Sequence, residues 1–192
     1  MSGETFVTIY CGSAEDVPPR FLSDAERIGA LFANKGISLI TGAGRTGLMG
    51  AVARGALEAG GKVRGIIPQF MVERGWQHTG LSELDIVPDM HTRKQKMAGS
   101  SVACVALPGG IGTFEELCEV ITWRQLGLFH GNIVIYNCED YYRPLLDMFE
   151  AAIKAGTMKP DHALLYEVAE SPEQVVEMAL REPVEKTFSP KF

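Results

Sequence analysis

The chain of 192 residues is 46% hydrophobic and 22% charged, ordinary values for a folded domain and unlike those of a disordered or fibrous chain. That length suits one substantial core, which predicts a single domain over residues 1–181 and a Pro-, Lys- and Glu-rich, poorly ordered tail over 182–192. A formal net charge of −6 without any polybasic run argues against a nucleic-acid or anionic-membrane partner, although a small phosphate ester needs only a few donors.

Ser2, Gly3 and Glu4 supply no basic segment, and the apolar stretch from Phe6 to Tyr10 is too short for a signal-peptide core. No run approaches the roughly eighteen apolar residues of a membrane span. Cys11, Cys104, Cys118 and Cys138 form no CxxC pair and sit in or beside apolar segments. They read as reduced, structural thiols of a cytoplasmic protein. His78, His91, His130 and His162 lack metal-ligand spacing, so no zinc site is expected.

Short β-rich runs alternate with longer helical ones. Residues 5–10 (TFVTIY) read as a first strand, followed by Gly12 and Ser13. Residues 21–34 carry Leu22, Ala25, Ile28, Leu31 and Phe32 at helical spacing, and Gly36 closes that helix. Residues 37–41 form a second strand that runs into Gly42-Ala43-Gly44-Arg45-Thr46-Gly47, and 48–59 a helix ending at Gly60-Gly61. A third strand over 62–67 stops at Pro68, and 69–90 is the least regular stretch, with a short strand at 84–87. A helix over 91–99 precedes 102–107 (VACVAL), apolar on both faces as a central parallel strand is. Pro108-Gly109-Gly110-Ile111-Gly112 turns into a helix over 113–126, and a strand at 132–136 with helices at 141–155 and 173–180 completes the pattern. Repeated β-then-α units predict an α/β, Rossmann-like, doubly wound fold: a mainly parallel sheet with helices on both faces. Ligands of such sheets gather beyond the carboxyl ends of the strands, where three glycine-bearing loops fall.

Gly42 to Gly47 is a literal G-x-G-x-x-G, but it follows the second strand, and the next strand ends without the acid that would hold a ribose. A tight structural turn beside a ligand therefore competes with direct phosphate contact. The run Pro108 to Glu116 lets the chain pass an anion closely and aims the free N–H groups of a helix start at it, with Thr113 adding a hydroxyl. Glu115 and Glu116 stand in the first turn, where acids also sit simply to complement the dipole. Phe114, Leu117, Cys118 and Ile121 form the expected buried stripe, with Glu115, Glu119 and Thr122 on another face. In Met90-His91-Thr92-Arg93-Lys94, two cations open a helix against its dipole, a conflict that a bound anion or a facing carboxylate would relieve.

Read together, GAGRTGLMG at 42–50, MHTRK at 90–94 and PGGIGTFEE at 108–116, continued by EVITWRQL at 119–126, closely resemble the LOG (Lonely Guy) family. Its members are cytokinin riboside 5′-monophosphate phosphoribohydrolases, often once labelled lysine decarboxylases in error. The similarity runs from about Phe6 to Ala155. It implies hydrolysis of the N-glycosidic bond of a purine nucleoside 5′-monophosphate, AMP or an N6-substituted relative, without metal or redox cofactor. Arg93 and Glu116 would be the catalytic pair. Lys94, Gly109, Gly110, Ile111, Gly112, Thr113, Phe114, Glu115 and Thr122 would hold the nucleotide, joined by Gly12, Ser13, Gly44 and Met90 around the same edge. Arg93 could orient Glu116, hold the phosphate, or favour departure of the base. The family is dimeric or higher, which suggests that Trp123, Leu126, Leu128 and Phe129 are buried between subunits. One departure is Gly75, where many relatives carry a Glu that contributes to the nucleotide site. Competing readings are a non-catalytic carrier of a nucleotide or a molybdopterin-type cofactor, and a broad-specificity nucleotide nucleosidase.

Overall fold

The computed structural model describes residues 4–183, so the tail expected over 182–192 lies, beyond Pro183, outside the described residues. In chain order the elements are β1 (Phe6–Tyr10), α1 (Pro19–Asn34), β2 (Ser38–Thr41), α2 (Gly47–Glu58), β3 (Val63–Pro68), α3 (Gln69–Val72) and β4 (Glu83–Val87). They continue with α4 (Met90–Gly99), β5 (Ala103–Ala106), α5 (Ile111–Gln125), β6 (Asn132–Tyr136), α6 (Arg143–Lys154), β7 (Glu167–Ala169) and α7 (Pro172–Leu180).

The strands form one seven-stranded sheet in the order β4-β3-β2-β1-β5-β6-β7, and every pairing is parallel. Parallel neighbours require crossover helices, and these cover both faces. Side-chain alternation divides the core accordingly. Val7, Ile9, Leu39, Val105 and Val134 point toward α1, α2 and α7, whereas Tyr10, Ile40, Cys104 and Ile135 point toward α4, α5 and α6. The fold is the doubly wound, Rossmann-like architecture expected from the alternation of elements.

Three features differ from the sequence reading. First, α3 and β7 are too short to carry a period of their own; β7 has three residues and is held by its register with β6. Second, α6 begins at Arg143 rather than residue 141, because a 3-10 turn at Cys138–Asp140 intervenes and the Asn137 side chain accepts the Tyr142 N–H at 2.8 Å. Third, the sheet-facing line of α5 is Thr113, Leu117, Val120 and Ile121. Cys118 falls one step off that line and is exposed, so it is not the buried hydrophobe the sequence suggested, while Cys11, Cys104 and Cys138 are buried.

On the first face α1 and α2 pack at backbone distance. A Cβ at Gly55 would lie 1.9 Å from the Glu26 carbonyl oxygen, and one at Gly29 would lie 2.1 Å from that of Val52. Neither obstacle is a flexible side chain, so the helices themselves would have to part. Gly55→Ala should therefore destabilise the protein by about 1–3 kcal/mol, the range for overpacking a tight contact, read as a lower urea midpoint with the slope retained. An unchanged midpoint would show that the helix pair tolerates separation.

Candidate active site

Strand order reverses at β1, with β2 on one side and β5 on the other. The crevice beyond the carboxyl ends of β1 and β5 is therefore the place where this topology binds ligands. Two loops meet there. Gly12 N–H donates to the Pro108 carbonyl at 3.0 Å, and a Cβ on Gly109 would lie 2.2 Å from Thr113 Oγ1 and 2.8 Å from Gly12 N. Glycine is needed so that the loops touch and Thr113 can fold beneath them. Gly110 then caps α5 with no side-chain hydrogen bond, which leaves first-turn N–H groups facing the crevice.

A cavity of about 610 Å³ opens at this point. On one side are Gly110, Gly112, Thr113, Glu115 and Glu116 from the start of α5, with Arg93 and Met90 from α4. Across from them are the second glycine loop and residues 67–76. Asp89 starts α4 by accepting the Thr92 N–H at 2.8 Å. That cap places Arg93 and Lys94, both 7% exposed, against α5. Arg93 Nη2 lies 3.8 Å from Glu116 Oε1, with 9% and 11% of the two side chains exposed. Lys94 Nζ is bound by Glu115 and, at 3.1 Å, by Glu119. Facing carboxylates thus relieve the charge conflict at the start of α4. Burial works to lower the Lys94 pKa, but its hydrogen bonds to Glu115 and then Glu119 raise it above the usual lysine value.

Glu116 is the unusual titrating group of the cavity. Burial pushes its pKa up to about 7; Arg93 and Lys94 pull down, and Glu115 and Glu119 push up. A carboxyl group poised near neutrality suits proton transfer at neutral pH.

Of the residues singled out from the sequence, Arg93, Glu116, Gly110, Gly112, Thr113, Glu115, Gly12, Ser13, Gly44 and Met90 line this one cavity. Five do not. Lys94 is spent on Glu115 and Glu119 behind the wall, and Gly109 lies under the loop against Gly12 and Thr113. Ile111 turns out to solvent at 81% exposure. Phe114 packs edge-on to Tyr142, with ring centroids 6.0 Å apart. Thr122, two turns along α5, lines a separate hollow with Cys118 and His162.

The sequence reading left Arg45 and Thr46 between a structural turn and a phosphate contact and did not assign Cys11, Met49, Ile67, Met71 or Trp76 to the site; all of these line the cavity. Their common signal is position: each follows or closes one of the first three strands. Residues 75–78 are tied to the second glycine loop. Arg45 Nη1 donates to the Gly75 carbonyl at 3.1 Å, His78 N–H donates to that of Ala43 at 2.7 Å, and Arg74 stacks 5.1 Å from the Trp76 ring. The G-x-G-x-x-G itself is mainly a packing device. Gly47 has φ +59° and lies against the Ser13–Ala14 backbone, while Gly44 is pressed by Met49.

A family model described as "Possible lysine decarboxylase" matches residues 49–179. A cytokinin riboside 5′-monophosphate phosphoribohydrolase of Rhodococcoides fascians is 43% identical over 155 residues, 80% of this chain and 78% of that protein. The relative named LOG7 of Arabidopsis thaliana is 37% identical over 154 residues, 80% of this chain and 71% of its own. Among solved structures, a molybdenum cofactor binding protein from Rippkaea orientalis superposes with a TM-score of 0.70 at 20% identity, over 92% of this chain and 96% of that one. The molybdenum cofactor carrier protein of Chlamydomonas reinhardtii gives 0.69 at 21% identity, over 91% and 95%. These two likenesses concern the fold alone. The relatives at higher identity match most of the chain, and on that likeness the chain belongs to the LOG family.

Proposed function

We propose that this chain is a phosphoribohydrolase that cleaves the N-glycosidic bond of a purine nucleoside 5′-monophosphate, AMP or an N6-substituted analogue. The observation that carries this reading is a buried carboxyl, Glu116, with its pKa near 7, set beside a buried Arg93 and behind an uncapped helix start. The 5′-phosphate occupies the N–H groups of Gly110 to Thr113. Leaving of the base develops positive charge on the ribose, which the Glu116 carboxylate stabilises. Water adds to C1′ as the C1′–N bond breaks. Glu116 takes one proton of that water, and the base leaves with the bonding electron pair and gains a proton from solvent, to which Glu116 returns its own. Arg93 holds Glu116 and the anion in register, and Met49, Met71 and Trp76 form the apolar wall for the base. The same reading makes Glu115 a nucleotide contact and the protein cytoplasmic, in keeping with its three buried free thiols.

Release of ribose 5-phosphate from AMP, isopentenyl-AMP, GMP, CMP and UMP tests the proposal, with adenosine as the control. AMP-type nucleotides should far outpace adenosine, because phosphate binding energy positions the scissile bond. Equal turnover of AMP and adenosine, or none of any nucleotide, would sink it, the latter in favour of a carrier. Glu116→Gln should lose at least about 10²-fold in kcat while still binding AMP. Glu115→Gln should chiefly raise KM. An exchange of the two phenotypes would reassign the catalytic carboxylate.

The acid limb of the pH profile follows from the raised Glu116 pKa. The reactive form is the carboxylate, so kcat/KM should fall as pH drops below about 7. A bound phosphate dianion makes ionisation of Glu116 harder, so the limb in kcat should lie at higher pH. A flat profile between pH 5 and 8 contradicts this assignment.

A homodimer is part of the same proposal. Phe129 is buried within its own subunit and Trp123 packs on the core, so neither is available in the way the sequence suggested. Leu126, Leu128, Met148 and Leu164 remain exposed and form the contact. Light scattering at micromolar concentration should give a dimeric mass, reduced by Leu128→Glu. A monomeric wild type overturns it.

A further inference from the structure

Gly42 lies directly after β2, buried at the edge of the cavity, at a φ outside the left-handed region. Its backbone conformation therefore does not demand glycine. Its surroundings do. A Cβ built there would sit 2.0 Å from Arg93 Nη2 and 3.2 Å from Arg93 Cζ, with the Met49 methyl at 3.3 Å. The guanidinium thus rests on the bare α-carbon of Gly42 and presents the same Nη2 to Glu116, 3.8 Å away. Little else fixes it. Among the described residues, Arg93 Nε is buried without a hydrogen-bond partner, and Nη1 has only the Met90 sulfur at 3.7 Å. A charged group with so few directional bonds is located by the shape of its niche, and the floor of that niche is a missing side chain.

We infer that Gly42 is a positioning residue: by lacking a side chain it sets where the Arg93 guanidinium stands against Glu116. This role rests on the reading of Arg93 and Glu116 as the working pair. It gives the first glycine of the G-x-G-x-x-G a task other than touching the phosphate itself. A methyl group needs about 3.5 Å from its neighbour, so alanine displaces Nη2 by more than an ångström. The atom that moves is the end of a flexible side chain, and the backbone has no cause to follow. A displacement of about 1 Å in a reacting constellation costs on the order of 10²-fold in rate.

The test compares wild type, Gly42→Ala, Arg93→Ala and the double variant by three measurements: kcat and KM for AMP, melting temperature, and the titration midpoint of the Glu116 carboxyl by carbon NMR. The groups that bear on Glu116 are Arg93 and Lys94 from α4, Glu115 and Glu119 from α5, Tyr10 from β1, Cys11 just after it, Cys104 from β5, and Tyr142 ahead of α6. Of these, only Arg93 would lie within 3.3 Å of the added methyl. Gly42→Ala should lower kcat by about 10²-fold with a smaller change in KM, and should shift the Glu116 midpoint as the cation is displaced. In the Arg93→Ala background the same substitution should leave the midpoint where it was, and should raise the melting temperature by restricting the unfolded chain. If Gly42→Ala fails to fold and the double variant folds, Arg93 is again identified as the obstacle. Equal losses in both backgrounds, an unmoved midpoint in the single variant, or failure of both to fold overturns the inference. The midpoint and melting arms need no turnover. A protein inactive on every nucleotide would thus defeat the proposed activity while leaving the Gly42–Arg93 coupling separately decided.

Discussion

Arg93 and Lys94 are held near the start of α4, where the helix dipole opposes positive charge, and both are withdrawn from water. The arrangement persists because α5 enters from the neighbouring crossover with Glu115, Glu116 and Glu119 facing them. Two helices that could have repelled solvent-starved cations are instead joined through them. The balance differs between the two cations. Lys94 is fully engaged by two carboxylates, whereas Arg93 is left with one carboxylate at 3.8 Å and an unpaired Nε. The incompletely satisfied cation is the one that faces the cavity. Glu116 bears a matching cost. Its folded-state pKa of about 7 exceeds the ordinary glutamate value of 4.5, so the folded protein binds more protons than the unfolded chain between those values. Stability falls as pH rises through that window, by about 3 kcal/mol for a shift of this size.

The glycine loops lie where they do because the sheet puts them there. Reversal of strand order at β1 opens a crevice between the Gly12 and Gly109 turns. The β2 and β3 ends supply its far side. In a doubly wound sheet these positions are neighbours in space although residues 12, 42 and 110 are far apart in the chain.

The alternation of elements made the fold legible, since each parallel strand demands a crossover and the apolar runs at 37–41, 102–107 and 132–136 could only be interior strands. Motifs made much of the site legible as well: Arg93, Glu116 and the loop around Gly110 carry their chemistry in residue type and spacing. What escaped has a physical reason. Lys94, Ile111, Phe114 and Thr122 sit within recognisable motifs, yet side-chain direction around a helix, at about 100° per residue, decides whether a motif residue faces the ligand. Met49, Met71 and Trp76 carry no motif, and only tertiary placement brings them to the cavity. The second glycine loop was ambiguous because glycine serves close packing and anion approach equally well. Its packing role emerges only once Ser13, Met49 and Arg93 are seen against it.

The two walls of the cavity differ in how they are built. One wall is main-chain N–H groups and buried charges, anchored to β1 and β5 at the centre of the sheet. The opposite wall is thioether and indole side chains, with Trp76 half exposed on an irregular segment beside the short edge helix α3. Unbranched methionines adapt their shape at small energetic cost, and backbone donors do not. Discrimination is therefore distributed unevenly. The first wall tolerates little variation, because altering it disturbs the central strands. The second can be resculpted by substitutions between residues 69 and 77 without touching Arg93 or Glu116, so under the proposed function paralogues with different base preferences are within short mutational reach of this scaffold.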